Sequence, residues 1–216
     1  MKRLISFDLD QTLVDTISSH MASYLEVLKK NNLKVPHKSK LRKLIDGRHG
    51  RDLINALYPN LSKKLREKIR IERKPILKKH SNLMRPIPGA KKTLFILKRN
   101  YKLALITNAA KNEVNLFLKK SKIPKKIFDF ILLGDQLKKP KPFPDGIIKV
   151  EHLLHVKSDI HVGDSTYDII SAKKAKAISV GVLTGQVSKR GLKRAGADFI
   201  IKSVADLSKL LSKNKL

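Results

Sequence analysis

Two aspartates end an apolar, strand-forming stretch near the amino terminus. The segment LISFDLDQTLVDT spans Leu4–Thr16 and places Asp8 and Asp10 two residues apart, at the point where its strand should end. Because strand side chains alternate between two faces, this spacing predicts both carboxylates on one side. Two such carboxylates are costly to ionise unless a cation or hydrogen-bond donors compensate. The sequence therefore predicts a positively charged group or ion beside this pair.

Three later apolar stretches are also followed by polar side chains. Thr107 and Asn108 could donate hydrogen bonds to phosphate oxygens, although an ordinary helix cap or turn explains them better when they are taken alone. KPKP at Lys139–Pro142 holds a lysine on a stiff loop, as a surface linker also would. Asp164 and Asp168 stand beside a helix start, where they could simply cap and charge its first turn. Each signal is weak alone, but four at successive strand ends indicate one site.

The elements that would position these groups alternate along the chain. Candidate strands are Arg3–Phe7, Lys102–Ile106, Phe130–Leu133, Asp159–Val162, Ile178–Val182 and Phe199–Ile201. Helical patterns between them span Ala90–Arg99, Glu113–Lys122, Asp145–His155, Tyr167–Lys176, Lys189–Ala195 and Ala205–Leu211. This alternation predicts an α/β fold with a doubly wound parallel sheet, since parallel strands need long crossovers that cover both faces. Reactive groups in such sheets collect beyond the carboxyl ends of the strands.

One interval breaks this alternation. Between about Thr16 and Pro86 the sequence shows helical patterns and no convincing strand. The patterns span Ser18–Lys30, Ser39–Leu44, Gly50–Tyr58 and Ser62–Lys79. We expect a helical cap at residues 16–86 and a catalytic core at residues 1–15 and 87–216, with the cap acting as a lid over Asp8.

Composition excludes several classes of protein. The 216 residues suffice for one substantial core with a smaller insert. No apolar run approaches the roughly 18–20 residues of a membrane span, and the first residues lack a signal-peptide pattern. We therefore expect a cytoplasmic protein with no membrane partner. The absence of cysteine excludes disulfides, thiolate catalysis and cysteine-based zinc sites.

The charge is strongly positive, with 48 Lys plus Arg against 18 Asp plus Glu and a formal net charge of +30. Such a field attracts polyanions, including nucleic acid and phosphorylated metabolites. The basic residues are spread along nearly the whole chain, and aromatic residues make up only 5%. Solvated lysine faces are therefore favoured over an adapted polyanion surface, and nucleic acid is a possible but not favoured partner.

The four motifs resemble those of one superfamily. DLDQT at Asp8–Thr12, ITN at Ile106–Asn108, KPKP at Lys139–Pro142 and GDSTYD at Gly163–Asp168 are similar, in order and spacing, to the motifs of haloacid dehalogenase-like (HAD) hydrolases. The resemblance covers essentially the whole chain and implies a Rossmann-like core. The helical insert resembles the C1-type cap of phosphoglycolate phosphatase-like members. One departure is Gln11, where the family often has glycine.

The resemblance implies the chemistry of the two amino-terminal acids. Asp8 would be the nucleophile that forms an aspartyl-phosphate, and Asp10 the general acid that protonates the leaving group and then activates water. Dehalogenases of the superfamily lack this second acid and its phosphate-pump ATPases carry threonine there. Asp10 therefore favours phosphate-ester hydrolysis.

The resemblance also implies the ligands of metal and phosphate. Mg²⁺ would be bound by Asp8, the backbone carbonyl of Asp10 and Asp164. Asp168 would orient the motif lysine or a metal-bound water. The phosphate would be bound by Thr107, Asn108 and Lys139, with Lys141 as the alternative, because the family lysine usually precedes the first proline. His161 is expected to pack against or orient its motif rather than bind metal.

Substrate selection should lie in the cap. IDGRHGRDL at Ile45–Leu53 resembles the cap loop that faces the active site in phosphoglycolate phosphatase-like members. Gly47 would allow a close approach, and Arg48 or His49 could bind a second anionic group. A solvated loop between two helices explains the same residues equally well.

The sequence thus favours a magnesium-dependent phosphomonoester hydrolase that acts on a small organic phosphate, with phosphoglycolate as the best single candidate. The alternatives are a phosphatase for nucleotides, pyrophosphate or nucleic-acid ends, and a sugar-phosphate mutase. An alternative of a different class is a basic polyanion-binding protein on the same core. The sequence leaves the oligomeric state open.

Overall fold

A computed structural model describes residues 2–45 and 50–214 of the chain. Its strands are β1 (Arg3–Phe7), β2 (Val14–Asp15), β3 (Arg85–Pro86), β4 (Tyr101–Thr107), β5 (Phe130–Leu133), β6 (Ser158–Gly163), β7 (Ile178–Val182) and β8 (Phe199–Ile201). Its α-helices are α1 (Ile17–Lys30), α2 (Lys38–Leu44), α3 (Gly50–Leu57), α4 (Lys63–Lys79), α5 (Ala90–Lys98), α6 (Lys111–Ser121), α7 (Asp145–Leu154), α8 (Thr166–Lys174), α9 (Lys189–Arg194) and α10 (Leu207–Asn214).

Six strands form a parallel sheet in the order β5-β4-β1-β6-β7-β8. From β1 the chain first adds β4 and β5 on one side and then returns to add β6, β7 and β8 on the other side. The direction in which strands are added therefore reverses beside β1. In open parallel sheets a crevice forms at such a reversal, beyond the carboxyl ends of the strands. The segment that carries Asp8 and Asp10 leaves β1 at this point.

Both faces of the sheet are buried, as the continuous apolar strands predict. Along β1, Ile5 and Phe7 pack in one cluster with residues of α5 and α6. Leu4 faces the opposite side, where it packs in a second cluster with residues of α7 and α8. Helices thus flank the sheet on both sides, which confirms the predicted α/β class with a doubly wound parallel sheet.

Helices α1 to α4 enclose a third apolar cluster between them. Its buried members are Tyr24, Val27, Leu28, Leu41, Leu53, Ile54, Ile69 and Ile76. Leu77, near the end of α4, belongs instead to the cluster beneath the sheet. The helical insert therefore has its own small core and is also packed against the main one.

None of the helices in the described residues is long and apolar enough to cross a membrane.

The insert is joined to the sheet region through two short strands. Val14 pairs with Pro86 and Asp15 pairs with Arg85, so β2 and β3 run antiparallel. The sequence predicted no strand between about Thr16 and Pro86, and this prediction was wrong at Arg85 and Pro86. A two-residue strand has no periodicity, so only the meeting of distant segments reveals it. This pairing brings the entry and exit of the insert side by side.

Candidate active site

Three buried carboxylates meet beyond the carboxyl ends of β1 and β6. Asp8 follows β1, Asp164 follows β6 and Asp168 lies in the first turn of α8. One oxygen from each lies within 4.8 Å of the others. Mg²⁺ prefers oxygen ligands and neutralises closely spaced carboxylates, so this donor set fits the expected cofactor. Asp8 and Asp164 were both expected as ligands.

Asp8 is buried and is held by a single cation in the described site. Its Oδ1 accepts a hydrogen bond from Lys141 Nζ at 2.5 Å, and its backbone amide donates to the Val162 carbonyl at 2.8 Å. The pKa of the Asp8 carboxyl is raised to about 8, chiefly by burial; Lys141 opposes this rise, and the Asp168 and Asp10 carboxylates contribute to it. A divalent cation at this cluster would favour the ionised form that a nucleophile requires.

Lys141, rather than Lys139, is the lysine at the site. Its buried Nζ donates to Asp8 Oδ1 and to Asp168 Oδ1, each at 2.5 Å. Burial lowers the pKa of Lys141, but the Asp168 and Asp8 carboxylates outweigh burial and hold this pKa above the usual lysine value. Lys139 is exposed, with its Nζ 5.6 Å from the centre of the Phe143 ring. The preference for Lys139 is therefore corrected; both lysines precede a proline, so the motif itself does not separate them.

Asp168 is held by four donor groups. Its Oδ2 accepts from the Ser165 amide at 3.1 Å and from Ser165 Oγ at 2.6 Å. Its Oδ1 contacts Lys141 Nζ and, at 3.3 Å, His161 Nε2. Burial raises the pKa of Asp168, but Lys141 and His161 outweigh burial and keep this pKa well below its usual range. Asp168 also caps α8 with Ser165, so the capping role and the contact with the lysine coexist.

Thr107 and Asn108 line the same pocket at the end of β4. Thr107 is buried, and its Oγ1 accepts from the Ala109 amide at 3.1 Å. Asn108 Nδ2 donates to the Lys141 carbonyl at 3.1 Å and so ties this loop to the one that carries the lysine. The Asn108 side chain therefore has a structural contact in addition to its place in the pocket wall.

Asp10 is oriented by two residues of the helical insert. Its Oδ1 accepts from Thr16 Oγ1 at 2.5 Å and lies 3.0 Å from His20 Nε2. His20 Nδ1 lies 3.1 Å from Arg73 Nη1. Because a guanidinium can only donate, Nδ1 accepts and Nε2 carries the hydrogen that points to Asp10.

Arg73 connects this histidine to the core. Its buried guanidinium lies 4.5 Å from the centre of the Tyr24 ring and donates through Nη2 to Glu113 Oε1. Burial raises the pKa of Glu113, but the Arg73 guanidinium and a hydrogen bond from the Ala110 amide outweigh burial and lower this pKa overall. Arg73 is on α4 and Glu113 on α6, so the ion pair links the insert to the core. The roles of His20, Arg73 and Glu113 were not predicted from the sequence, because a lone polar or charged residue on a helix carries no local signal of its partner.

The space between the insert and the core is a cavity of about 70 Å³. Its walls include Ile17 and Leu53 from the insert and Gln186 from the loop after β7. In that loop, a Cβ on Gly185 would lie only 1.9 Å from Asp164 Oδ2, so a side chain there would displace the carboxylate. Glycine at this position therefore allows the loop to approach the acidic cluster.

Gln11, the departure from the family pattern, has a backbone φ of 58°. This is the left-handed region, which glycine enters at lower cost than other residues. The conformation is held by backbone bonds: the Gln11 amide donates to the Val14 carbonyl at 2.7 Å, and Thr184 Oγ1 donates to the Gln11 carbonyl. The turn thus keeps its shape without the glycine that would suit it best.

The residues expected to select the substrate, Gly47, Arg48 and His49, lie outside the described residues. The two ends of the expected loop are described. Ile45 and Leu53 both line the cavity. The hypothesis that the intervening loop faces the site therefore remains a prediction.

A family model described as haloacid dehalogenase-like hydrolase matches residues 5–182. The chain belongs to this family. The superfamily expected from the four motifs is therefore confirmed, and so is the expectation of an enzyme.

Individual relatives match over nearly their whole length. The chain is 30% identical over 226 residues to phosphoglycolate phosphatase from Aquifex aeolicus, with 97% of this chain and 96% of the relative covered. It is 27% identical over 208 residues to pyrophosphatase PpaX from Oceanobacillus iheyensis, with 95% and 94% covered. The crystal structure of a hydrolase from Pseudomonas syringae superposes with a TM-score of 0.85 at 25% identity, with 99% of each chain covered.

Proposed function

We propose that this chain is a magnesium-dependent phosphomonoester hydrolase that acts on a small organic phosphate through an aspartyl-phosphate. The observation that carries this proposal is Asp8, buried beside Asp164, bound to Lys141 and part of the lining of the cavity. Residues 1–15 and 87–216 would form the catalytic core, and residues 16–86 the cap.

Asp8 would attack the phosphorus atom in line with the ester bond. An Asp8 oxygen–phosphorus bond forms as the bond from phosphorus to the ester oxygen breaks, and the leaving oxygen takes a proton from Asp10. In the second step Asp10 accepts a proton from water, whose oxygen bonds to phosphorus as the aspartyl bond breaks. Inorganic phosphate leaves, and both aspartates return to their first state.

The contacts of Asp10 suit this acid and base role. Thr16 and His20 both contact Oδ1, so Oδ2 is the oxygen that would carry the transferred proton. A general acid and base must be held within hydrogen-bond reach of the group that it serves. Thr16 and His20 would supply that orientation.

Mg²⁺ would be held by Asp8, Asp164 and the backbone carbonyl of Asp10, and when bound it would stabilise the negative charge of the transition state. The position of Asp168 supports a different role. Its contacts with Lys141 and Ser165 suit a residue that orients the lysine. Thr107, the Asn108 backbone and Lys141 would bind the phosphate oxygens.

The cavity favours a small leaving group. Its volume of about 70 Å³ favours a small organic group over a nucleoside. Phosphoglycolate is our first candidate substrate, with Arg48 or His49 binding its carboxylate. Pyrophosphate is the second, because relatives at 26–28% identity bear the name pyrophosphatase PpaX. A nucleotide would require the cap to move away.

A panel of phosphate compounds tests this proposal. Purified protein is incubated with phosphoglycolate, pyrophosphate, a hexose phosphate and a nucleoside monophosphate, with Mg²⁺ or with EDTA, and released phosphate is measured. We expect magnesium-dependent release that is greatest for phosphoglycolate. Pyrophosphate as the best compound would move the assignment to the second candidate. No release from any compound, together with tight and salt-sensitive RNA binding, would favour the polyanion-binding alternative.

A further inference from the structure

His161 is fully buried in β6, yet none of the chemical steps proposed above uses it. Its Nδ1 lies 2.8 Å from Ser6 Oγ, and its Nε2 lies 3.3 Å from Asp168 Oδ1. Ser6 is also fully buried, and it pairs in register with His161 across β1 and β6. Two polar side chains in the centre of a sheet are costly unless both form hydrogen bonds, so their partners indicate what they do.

The contacts determine which ring nitrogen carries the hydrogen. Burial lowers the pKa of His161, which favours the neutral ring with one donor and one acceptor. The Asp168 carboxylate is an acceptor, so Nε2 must donate to it. Ser6 Oγ lies 3.3 Å from the Ile160 carbonyl but only 2.8 Å from His161 Nδ1, so the shorter contact is the one in which Nδ1 of the neutral ring accepts from the hydroxyl. Ser6 therefore selects the form of the ring that can hold Asp168.

These contacts close a ring of interactions around the nucleophile. Ser6 and Asp8 are two residues apart at the end of β1, and side chains at this spacing share a face. From Asp8 the ring runs through Lys141 to Asp168 and then through His161 back to Ser6. Every side chain in the ring is buried. A closed ring restrains each member more strongly than an open chain of contacts.

The position of Asp168 is also restricted sterically. A Cβ on Gly163 would lie 2.2 Å from Asp168 Cγ, so the carboxyl group occupies space that only glycine leaves open. Gly163 is two residues after His161 on β6, so the two positions share a face. The strand thus provides both the space and a hydrogen-bond donor for the same carboxyl group.

We propose that His161 is a positioning residue, held in its donor form by Ser6, that orients Asp168 and thereby places Lys141 at Asp8. The inference rests on the proposed function, because it assigns Lys141 to the phosphate and nucleophile. His161 does not touch the substrate. Its effect passes through Asp168 and Lys141.

The test compares variants of His161 with a matched pair of serine variants. His161→Phe keeps a planar ring and removes the donor, whereas His161→Gln can still donate to Asp168 and accept from Ser6. We expect His161→Phe to lower kcat about 10- to 100-fold with a smaller change in KM, and His161→Gln to restore most of this loss. Ser6→Ala should lower kcat several-fold. Ser179 is equally buried and pairs with His161 from β7, but its hydroxyl bonds to Asp198, so Ser179→Ala should leave kcat unchanged.

A double variant separates positioning from a general loss of structure. If His161 acts through Lys141, His161→Phe should cause little further loss when Lys141→Met is already present. Independent losses that multiply would overturn the inference, as would a Ser179→Ala variant as impaired as Ser6→Ala.

A measurement without turnover distinguishes this inference from the proposed function. Nitrogen-15 NMR of the His161 ring should show hydrogen on Nε2 in the wild-type chain, and Ser6→Ala should reduce that preference. Hydrogen on Nδ1 would refute the positioning role even in an active enzyme. Absent phosphate release in the wild-type chain, with hydrogen still on Nε2, would refute the proposed function and leave the ring of contacts intact.

Discussion

The two ends of the pocket are built from different parts of the chain. The end that would supply the nucleophile, the nucleophile end, consists of Asp8, Lys141, Asp164 and Asp168. All four lie on segments beyond the carboxyl ends of the strands of the parallel sheet. The leaving-group end consists of Asp10, His20, Arg73 and Glu113, of which two lie on helices of the insert. The first end can therefore form within the sheet region alone. The second is complete only when the insert is docked against the core.

The two ends also differ in net charge. At the nucleophile end three carboxylates face one ammonium, so that when all three are ionised an excess of two negative charges remains for a divalent cation to neutralise. At the leaving-group end Arg73 and Glu113 neutralise each other. In the proposed mechanism, the core would therefore set the chemistry at phosphorus, and the position of the insert would set the delivery of the proton.

The largest expected effect comes from removal of the nucleophile. Asp8→Asn should abolish phosphate release, with a loss of at least about 10⁴-fold, because the amide cannot form the aspartyl-phosphate. Release of p-nitrophenol from p-nitrophenyl phosphate measures it. Asp135→Asn, at an exposed aspartate just beyond β5, is the control and should retain full activity. Substantial turnover by Asp8→Asn would refute the assignment of the nucleophile.

The second prediction separates the two lysines of KPKP. Lys141→Met should lower kcat about 10²- to 10³-fold, comparable to the loss of a charged group that stabilises the transition state. It should also lower the free energy of unfolding by about 3–5 kcal/mol, because it removes the ammonium group that pairs with two buried carboxylates. Lys139→Met should change either quantity little. Phosphate release and urea unfolding measure both, and equal effects of the two variants would contradict the placement of Lys141.

The third prediction concerns the leaving-group end. His20→Ala should lower kcat about 10-fold for alkyl phosphates, because Asp10 loses its contact with the insert. The effect should be smaller for p-nitrophenyl phosphate, whose leaving group needs little protonation. The ratio of the two rates, measured in the wild-type and variant chains, is the readout. A loss of equal size for both substrates would mean that His20 serves the fold or the nucleophile end instead.

The smallest effect is a dependence of stability on pH in the metal-free protein. The pKa of Asp8 is raised to about 8 from its ordinary value of 3.8, so the folded chain binds an extra proton between these values and loses stability as pH rises. The lowered pKa of His161 acts in the opposite sense, but only below its ordinary value of 6.5. Between pH 6.5 and 8 the free energy of unfolding should therefore fall by up to about 1.4 kcal/mol per pH unit.

Urea unfolding in EDTA at several pH values measures this slope. Asp8→Asn should remove it, because the amide does not titrate. Added Mg²⁺ should stabilise the wild-type chain more at pH 8 than at pH 6.5. A stability that stays constant over this range, or a slope that persists in Asp8→Asn, would contradict the assigned cause.

Much of the fold was predictable because its signals are local. The predicted limits of four strands, Arg3–Phe7, Phe130–Leu133, Ile178–Val182 and Phe199–Ile201, agree with the structure residue for residue. These are short β-rich apolar stretches between polar or turn-forming segments, and the sheet buries most of their side chains. The last helix was less well predicted, because a separate 3₁₀ turn at Val204–Asp206 precedes Leu207–Asn214.

The sequence by itself determined the parallel sheet and the meeting of Asp8, Asp164, Asp168, Thr107 and Asn108, because all of them follow strands whose carboxyl ends share one edge. The tertiary structure decided between Lys139 and Lys141, paired β2 with β3, and brought His20, Arg73 and Glu113 to Asp10. It also placed Ser6 and His161 beneath the nucleophile. These contacts join residues far apart in the chain. Neither partner has a local preference that identifies the other, so packing alone determines them.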